Sequence, residues 1–347
     1  MAQNRRGAGA GVRERGPDAG RPARRPRRRY SRRVRTRRRL VLILAIGLIA
    51  GAVAYGTGGR GAPGAPPAPA TVAAAIRPPA ARAAAVPRLV VTAPRAPSAA
   101  WTVVAEVRGH PAAWIAQRSA VTFMRFDQSL VHLTLHAGSS DGGVAGWTYG
   151  DQISPREIHL VLAAFNGGFR LTYTDVGFSS GGHVAVALKP GLASIVTYTD
   201  GTSNIGSWLN GVPTAHKTVF SVLQNQQLLV DRGAPAATVT SCVLTCWGHT
   251  IQALTTVARS GLGITASGQL VWAAGEQLSP AALAAALISA GAVRAIELDI
   301  NPDWVAGYLY THHPSGPTAV PVVPGQHGIA GELLAPYSRD FLAVVAN

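Results

Sequence analysis

The clearest pattern of apolar and polar positions lies late in the chain, at Val293-Arg294-Ala295-Ile296-Glu297-Leu298-Asp299-Ile300. Ile296, Leu298 and Ile300 fall on one face and Glu297 and Asp299 on the other, which predicts a strand. Carboxylates at i and i+2 share a side, roughly 7 Å apart. Asn301-Pro302 then ends the strand, because proline has no N–H for a ladder. Earlier, Val131, Leu133 and Leu135 alternate with His132, Thr134 and His136, a strand whose histidines face surface or groove. The apolar run from His159 to Phe165 reads as a strand buried on both faces, ending in Asn166-Gly167-Gly168.

Short strands between turns at Lys189-Pro190-Gly191 and Asp200-Gly201 predict an antiparallel meander. The runs Thr256–Thr265 and Gln269–Ala274 predict a hairpin. Ser154-Pro155-Arg156-Glu157 has the residues of a helix start, and Ser279-Pro280 opens a second helix stopped by Gly291. Arg339 to Val345 reads as a closing strand. The sum is an α+β fold, a mixed and largely antiparallel sheet with packed helices, in one exported domain over residues 101–347.

The first hundred residues break the pattern. Leu40 to Tyr55 is almost wholly apolar, and no charge falls between Arg39 and Arg60. That length suits a single-pass transmembrane anchor or a signal segment over residues 40–59. The basic flank places the N-terminus in the cytoplasm and the domain outside. Cleavage near Ala52-Val53-Ala54 would instead release a secreted form. Residues 60–100 are rich in Pro, Ala and Gly and read as a semi-extended linker.

Net charge is +16, but residues 1–39 hold 16 arginines against Glu14 and Asp18. That tail is expected to be disordered. The remainder is nearly neutral, so no nucleic-acid partner is expected of the fold. Two cysteines, Cys242 and Cys246, sit in a loop-like exported stretch and predict a local disulfide.

Candidate chemistry gathers at the acid-bearing strand. Asn166, Gly167, Gly168 and Phe169, then Arg259, Gly263 and Ile264, then a hairpin and helix leading to Leu298-Asp299, resemble in order the phosphodiester glycosidase family. The resemblance implies an extracytoplasmic hydrolase that cleaves a sugar-1-phosphodiester or related glycosidic bond in envelope glycan. Asp299 would act at the anomeric centre, with Glu297 and Asp303 as reserve acid/base groups. Arg259 would clamp the phosphodiester, and Asn166 with the Gly167 and Gly168 amides would bind phosphate or sugar oxygens. Trp304 would stack on a sugar. Where the family has Gly-Gly-Gly-Ser after its aspartate, this chain has Ile300-Asn301-Pro302-Asp303. That departure motivates a rival, a catalytically inactive glycan-binding module anchored at the membrane. A second rival is a metal-dependent phosphodiesterase using acids 297, 299 and 303. No cofactor and no resident metal are expected, although a divalent ion is not excluded.

Overall fold

The computed structural model describes residues 87–94, 98–140, 146–174 and 176–347. These lie in the second of two compact units, Pro78–Asn347. The arginine tail, the apolar segment at 40–59 and most of the proposed linker lie outside the described residues. Among the described residues no helix is long and apolar enough to cross a membrane. The transmembrane, signal-anchor and single-pass location expected from the sequence therefore has no support among the described residues and is not carried further.

The fold class is also corrected. Strands make up 45% of the described residues and helix 9%, so the architecture is β-rich rather than α+β with packed helices. Three sheets account for it. The largest has nine strands and is antiparallel throughout. It runs from the edge strand Leu89–Val91, within the stretch read as linker, through Leu270–Leu278, Val257–Thr265 and Ala292–Glu297. A five-stranded sheet places Val161–Asn166 between Gly307–His313 and Phe341–Ala346. A six-stranded sheet is built around Ala193–Tyr198 and Val219–Asn225.

Only one helix among the described residues exceeds a single turn, Pro280–Ser289. The Ser279 side chain accepts a hydrogen bond from the Ala282 amide and proline fills the first turn, as the sequence predicts. Leu283 and Leu287 bury against the nine-stranded sheet, and Gly291 turns the chain at φ +96° into Ala292–Glu297. The start expected at Ser154 makes only turns. Ser154 and Glu157 do exchange capping contacts, with Ser154 N–H and hydroxyl donating to Glu157 Oε2. The strand beginning at Val161 leaves no room for a second turn of helix.

The Val131–His136 strand also departs from the simple alternation. Thr134 and His136 are buried like their apolar neighbours. Thr134 donates to Glu157 Oε1, and the His136 ring stacks on Phe341 at 4.2 Å. Both faces of this strand are covered, so its polar residues find partners inside instead of water. Between the large sheet and the five-stranded sheet the core is aromatic. Phe165 stacks on Trp272 at 5.4 Å and on Phe126 at 6.3 Å.

Candidate active site

The acid-bearing strand leaves the large sheet where its regular pairing stops. Leu298 still donates its amide to Ser260 O, but the Asp299 amide donates to Gly167 O at the end of Val161–Asn166. Asp299 therefore sits where two sheets meet. The adjoining strand Val219–Asn225 reaches the same junction, with Asn225 Nδ2 donating to Glu297 O at 2.7 Å.

Asp299 is held from two sides. Its Oδ1 accepts from the Ile300 amide at 2.7 Å and the Asn301 amide at 3.0 Å. Its Oδ2 accepts from Arg339 Nη2 at 2.8 Å. The corner Ile300-Asn301-Pro302 thus turns back its own amides to fix the carboxylate, a task for which a proline at 302 leaves both donors intact. Arg339 Nη2 also donates to Gly168 O at 3.0 Å, and its guanidinium lies 5.6 Å from the Trp304 ring centroid. Trp304 in turn meets Tyr337 edge-on at 6.2 Å.

These groups open into a cleft of about 540 Å³, lined by Asp299, Arg339 and Trp304 together with Arg170, Tyr173 and His249. One wall depends on Gly248. It adopts φ +83°, and a Cβ there would press on Ile300 and on the Phe169 ring. The Cys242–Cys246 disulfide is formed and lies just ahead of that wall.

The other residues singled out in the sequence are placed differently. The Asn166-Gly167-Gly168 amides are consumed within the fold. Gly167 N–H donates to Asp340 O, and Gly168 N–H donates to Asp340 Oδ2 at 2.8 Å. Asn166 Nδ2 donates to Gly167 O while its Oδ1 accepts from Ser260 Oγ. A Cβ on Gly167 would collide with the Asp340 carboxylate, so this glycine serves a close approach within the fold and not an anion nest.

Arg259 and Glu297 form a second ion pair, Nη1 to Oε1 at 2.6 Å, with side-chain exposures of 0% and 1%. Arg259 also donates to Leu278 O and to Trp247 O. Burial pushes the Glu297 carboxyl up to about 7, against the pull of Arg259. Neither side chain lines the cleft. Asp303 is exposed and accepts from His327 Nδ1 at 2.9 Å, also outside the lining. Asp303 raises the His327 pKa by that hydrogen bond.

The structure thus brings together Asp299 and Trp304, and it adds Arg339, Arg170, Tyr173 and His249, which sequence reasoning missed. The available signal for Arg339 was the charged pair Arg339-Asp340 directly before the apolar strand Phe341–Ala346. Among the described residues no three His, Cys, Asp or Glu side chains cluster as metal ligands do.

No protein-family model matches the chain, and no curated protein matches it. Among solved structures the chain is similar to the catalytic domain of zebrafish N-acetylglucosamine-1-phosphodiester alpha-N-acetylglucosaminidase, auto-inhibited by its pro-peptide. That likeness has 12% identity and a TM-score of 0.43, over 76% of this chain and 88% of that one. A hypothetical protein from Synechocystis is similar at 12% identity and a TM-score of 0.38, over 70% of this chain and 66% of that one.

Proposed function

We propose that the Asp299 cleft is a hydrolytic site for a sugar-1-phosphodiester or a related glycosidic bond. The observation that carries this reading is the Asp299 carboxylate, paired with Arg339 at the floor of a cleft and flanked by the Trp304 ring. Likeness in chain course to a glycosidase catalytic domain is compatible with a hydrolase and is not what the reading rests on.

In this reading the sugar packs against Trp304 with its anomeric carbon toward Asp299. As the C–O bond breaks, positive charge grows on the sugar ring and the carboxylate opposes it. The bond's electron pair leaves on a phosphate oxygen, which is already stable as an anion and asks little of a general acid. A cation near that oxygen matters more, a role that suits Arg339 or Arg170. Water supplies the new hydroxyl on the anomeric carbon and its proton passes to solvent, with His249 the lining group able to relay it. Arg259 and Glu297, fully buried, take no part in contact with substrate.

Cleavage in water enriched in oxygen-18 tests the bond assignment. This reading expects the label in the released sugar. Label in the phosphate would instead mean attack at phosphorus and would sink the glycosidase mechanism.

One observation favours a second reading, a glycan-binding module without turnover. Both Asp299 oxygens are already engaged by donors of the fold, as they would be in a purely structural carboxylate. Retained binding of a sugar phosphodiester with no release of sugar would select that reading.

A further inference from the structure

The nine-stranded sheet carries two cations that the Asp299 cleft does not use. Strands His110–Arg118 and Val121–Phe126 pair so that Trp114 stands opposite Arg125, with Val103 of Thr102–Val107 opposite Trp114 on its other side. Trp101 enters from just before Thr102 and meets Phe123 edge-on at 6.3 Å. Phe123 belongs to the same core cluster as Leu283 and Leu287, so this row lies on the sheet face that carries the helix Pro280–Ser289. None of these residues lines the cleft.

Arg125 is boxed by rings. Its guanidinium lies 4.5 Å from the Trp101 ring centroid and 5.0 Å from that of Trp114. The Arg118 guanidinium lies 5.4 Å from the Trp101 and Phe123 centroids. Attraction to a ring face holds a guanidinium in place without an acceptor for its N–H groups. Arg118 donates from Nε to Ala99 O and from Nη1 to Ser289 O. The Arg125 guanidinium has no acceptor among the described residues, and its Nε is buried without one. Neither arginine pairs with a carboxylate among the described residues. Burial and the Arg118 charge both lower the Arg125 pKa, so the charge that Arg125 meets is a like one. A half-buried cation, fixed in position with its donors unmet, is a group arranged for an anion.

We propose that Arg125 binds the oxyanion of a ligand, a phosphate or carboxylate group, at a second site on this sheet face. The two-oxygen edge shared by those groups matches the guanidinium fork. Trp101 and Trp114 hold the fork, and Arg118 adds its charge to the attraction. The inference does not depend on hydrolysis in the Asp299 cleft.

The test titrates the full chain, labelled with nitrogen-15, with methyl phosphate, with acetate and, at matched ionic strength, with chloride. The indole N–H resonances of Trp101 and Trp114 report on this face alone. At least one oxyanion is expected to move both, with a dissociation constant of about 1 mM, and the tighter of the two names the group. Arg125→Gln should weaken that binding at least about tenfold. Arg125→Lys keeps the charge without the fork and should fall between. Thermal midpoints check folding, and the parent titration stands without any variant. The Asp299→Asn chain should give the parent curve, which separates failure of this inference from failure of the hydrolytic reading. No movement with either oxyanion, equal movement with chloride, or undiminished binding by a folded Arg125→Gln chain overturns the proposal.

Discussion

Two arginine–carboxylate pairs have their carboxylates two residues apart, one at the end of a strand and one just beyond it, and their surroundings differ. Glu297 and Arg259 are sealed inside the large sheet, with side chains 1% and 0% exposed. Asp299 and Arg339 have side chains 10% and 3% exposed and line a cleft. The first pair ties Leu278 and Trp247 to the acid-bearing strand, through Arg259 Nε and Nη1 respectively. The second ties the Ile300-Asn301 corner to Gly168 and the closing strand while leaving a carboxylate at a surface that a ligand can reach. Both are arginine–carboxylate pairs; access to solvent separates the sealed pair from the one that lines a cleft.

The comparison is broken most strongly by removing Arg259. Arg259→Met leaves Glu297 buried without its cation and should cost about 3–5 kcal/mol in urea unfolding at pH 8. Replacing both, Arg259→Met with Glu297→Leu, should recover much of that loss. Glu297 also sets a pH dependence. Its folded pKa, about 7, lies above the ordinary value of 4.5. The group therefore binds its proton more tightly in the folded chain. Its stabilising contribution is complete below about 4.5 and is lost as pH rises through about 7. Glu297→Gln should flatten the stability profile over that window, and an unchanged profile would assign the dependence elsewhere.

The disulfide comes next. Cys242 and Cys246 close a loop of sequence separation 4 just before the cleft wall. The Cys242→Ser/Cys246→Ser variant should lose about 2 kcal/mol by the loop-entropy relation. Trp304→Ala should weaken binding of a sugar phosphodiester by about tenfold, the value of one stacking face, with the unfolding midpoint little changed. Smallest is Asp303→Asn. Asp303 and His327 are exposed and screened, so neither stability nor sugar release should change measurably.

Much of this arrangement was legible where the cause is local. The alternation around Ile296 located the strand, although it ends at Glu297, ahead of Leu298 and Ile300, and Ser279-Pro280 with Gly291 bounded the helix. The double carboxylate was visible for the same reason. Partner choice was not local. Arg259 looked like a ligand for phosphate because it is a lone cation in a strand-forming stretch. Its burial follows from the pairing of Gly261 with Glu297 across two strands, a register that no nearby residue encodes. Arg339 is 40 residues from Asp299 in sequence, and only the closing strand's place beside Val161–Asn166 brings it there. Asn166-Gly167-Gly168 has the composition of an anion nest, yet Asp340 takes up both glycine positions. The excess of helix expected from the sequence has a similar origin. Capping residues at Ser154 act as predicted, but the following strand claims the chain first.

The most direct test of the account measures released reducing sugar from a panel of sugar-1-phosphodiesters, with the parent chain and Asp299→Asn side by side. Asparagine keeps the shape of the side chain and can still accept from the Ile300 and Asn301 amides, so the variant should remain folded by its thermal midpoint. The account predicts release by the parent chain that falls at least ~100-fold in the variant. Equal release by a folded Asp299→Asn chain, or no release by the parent chain from any diester in the panel, would contradict it.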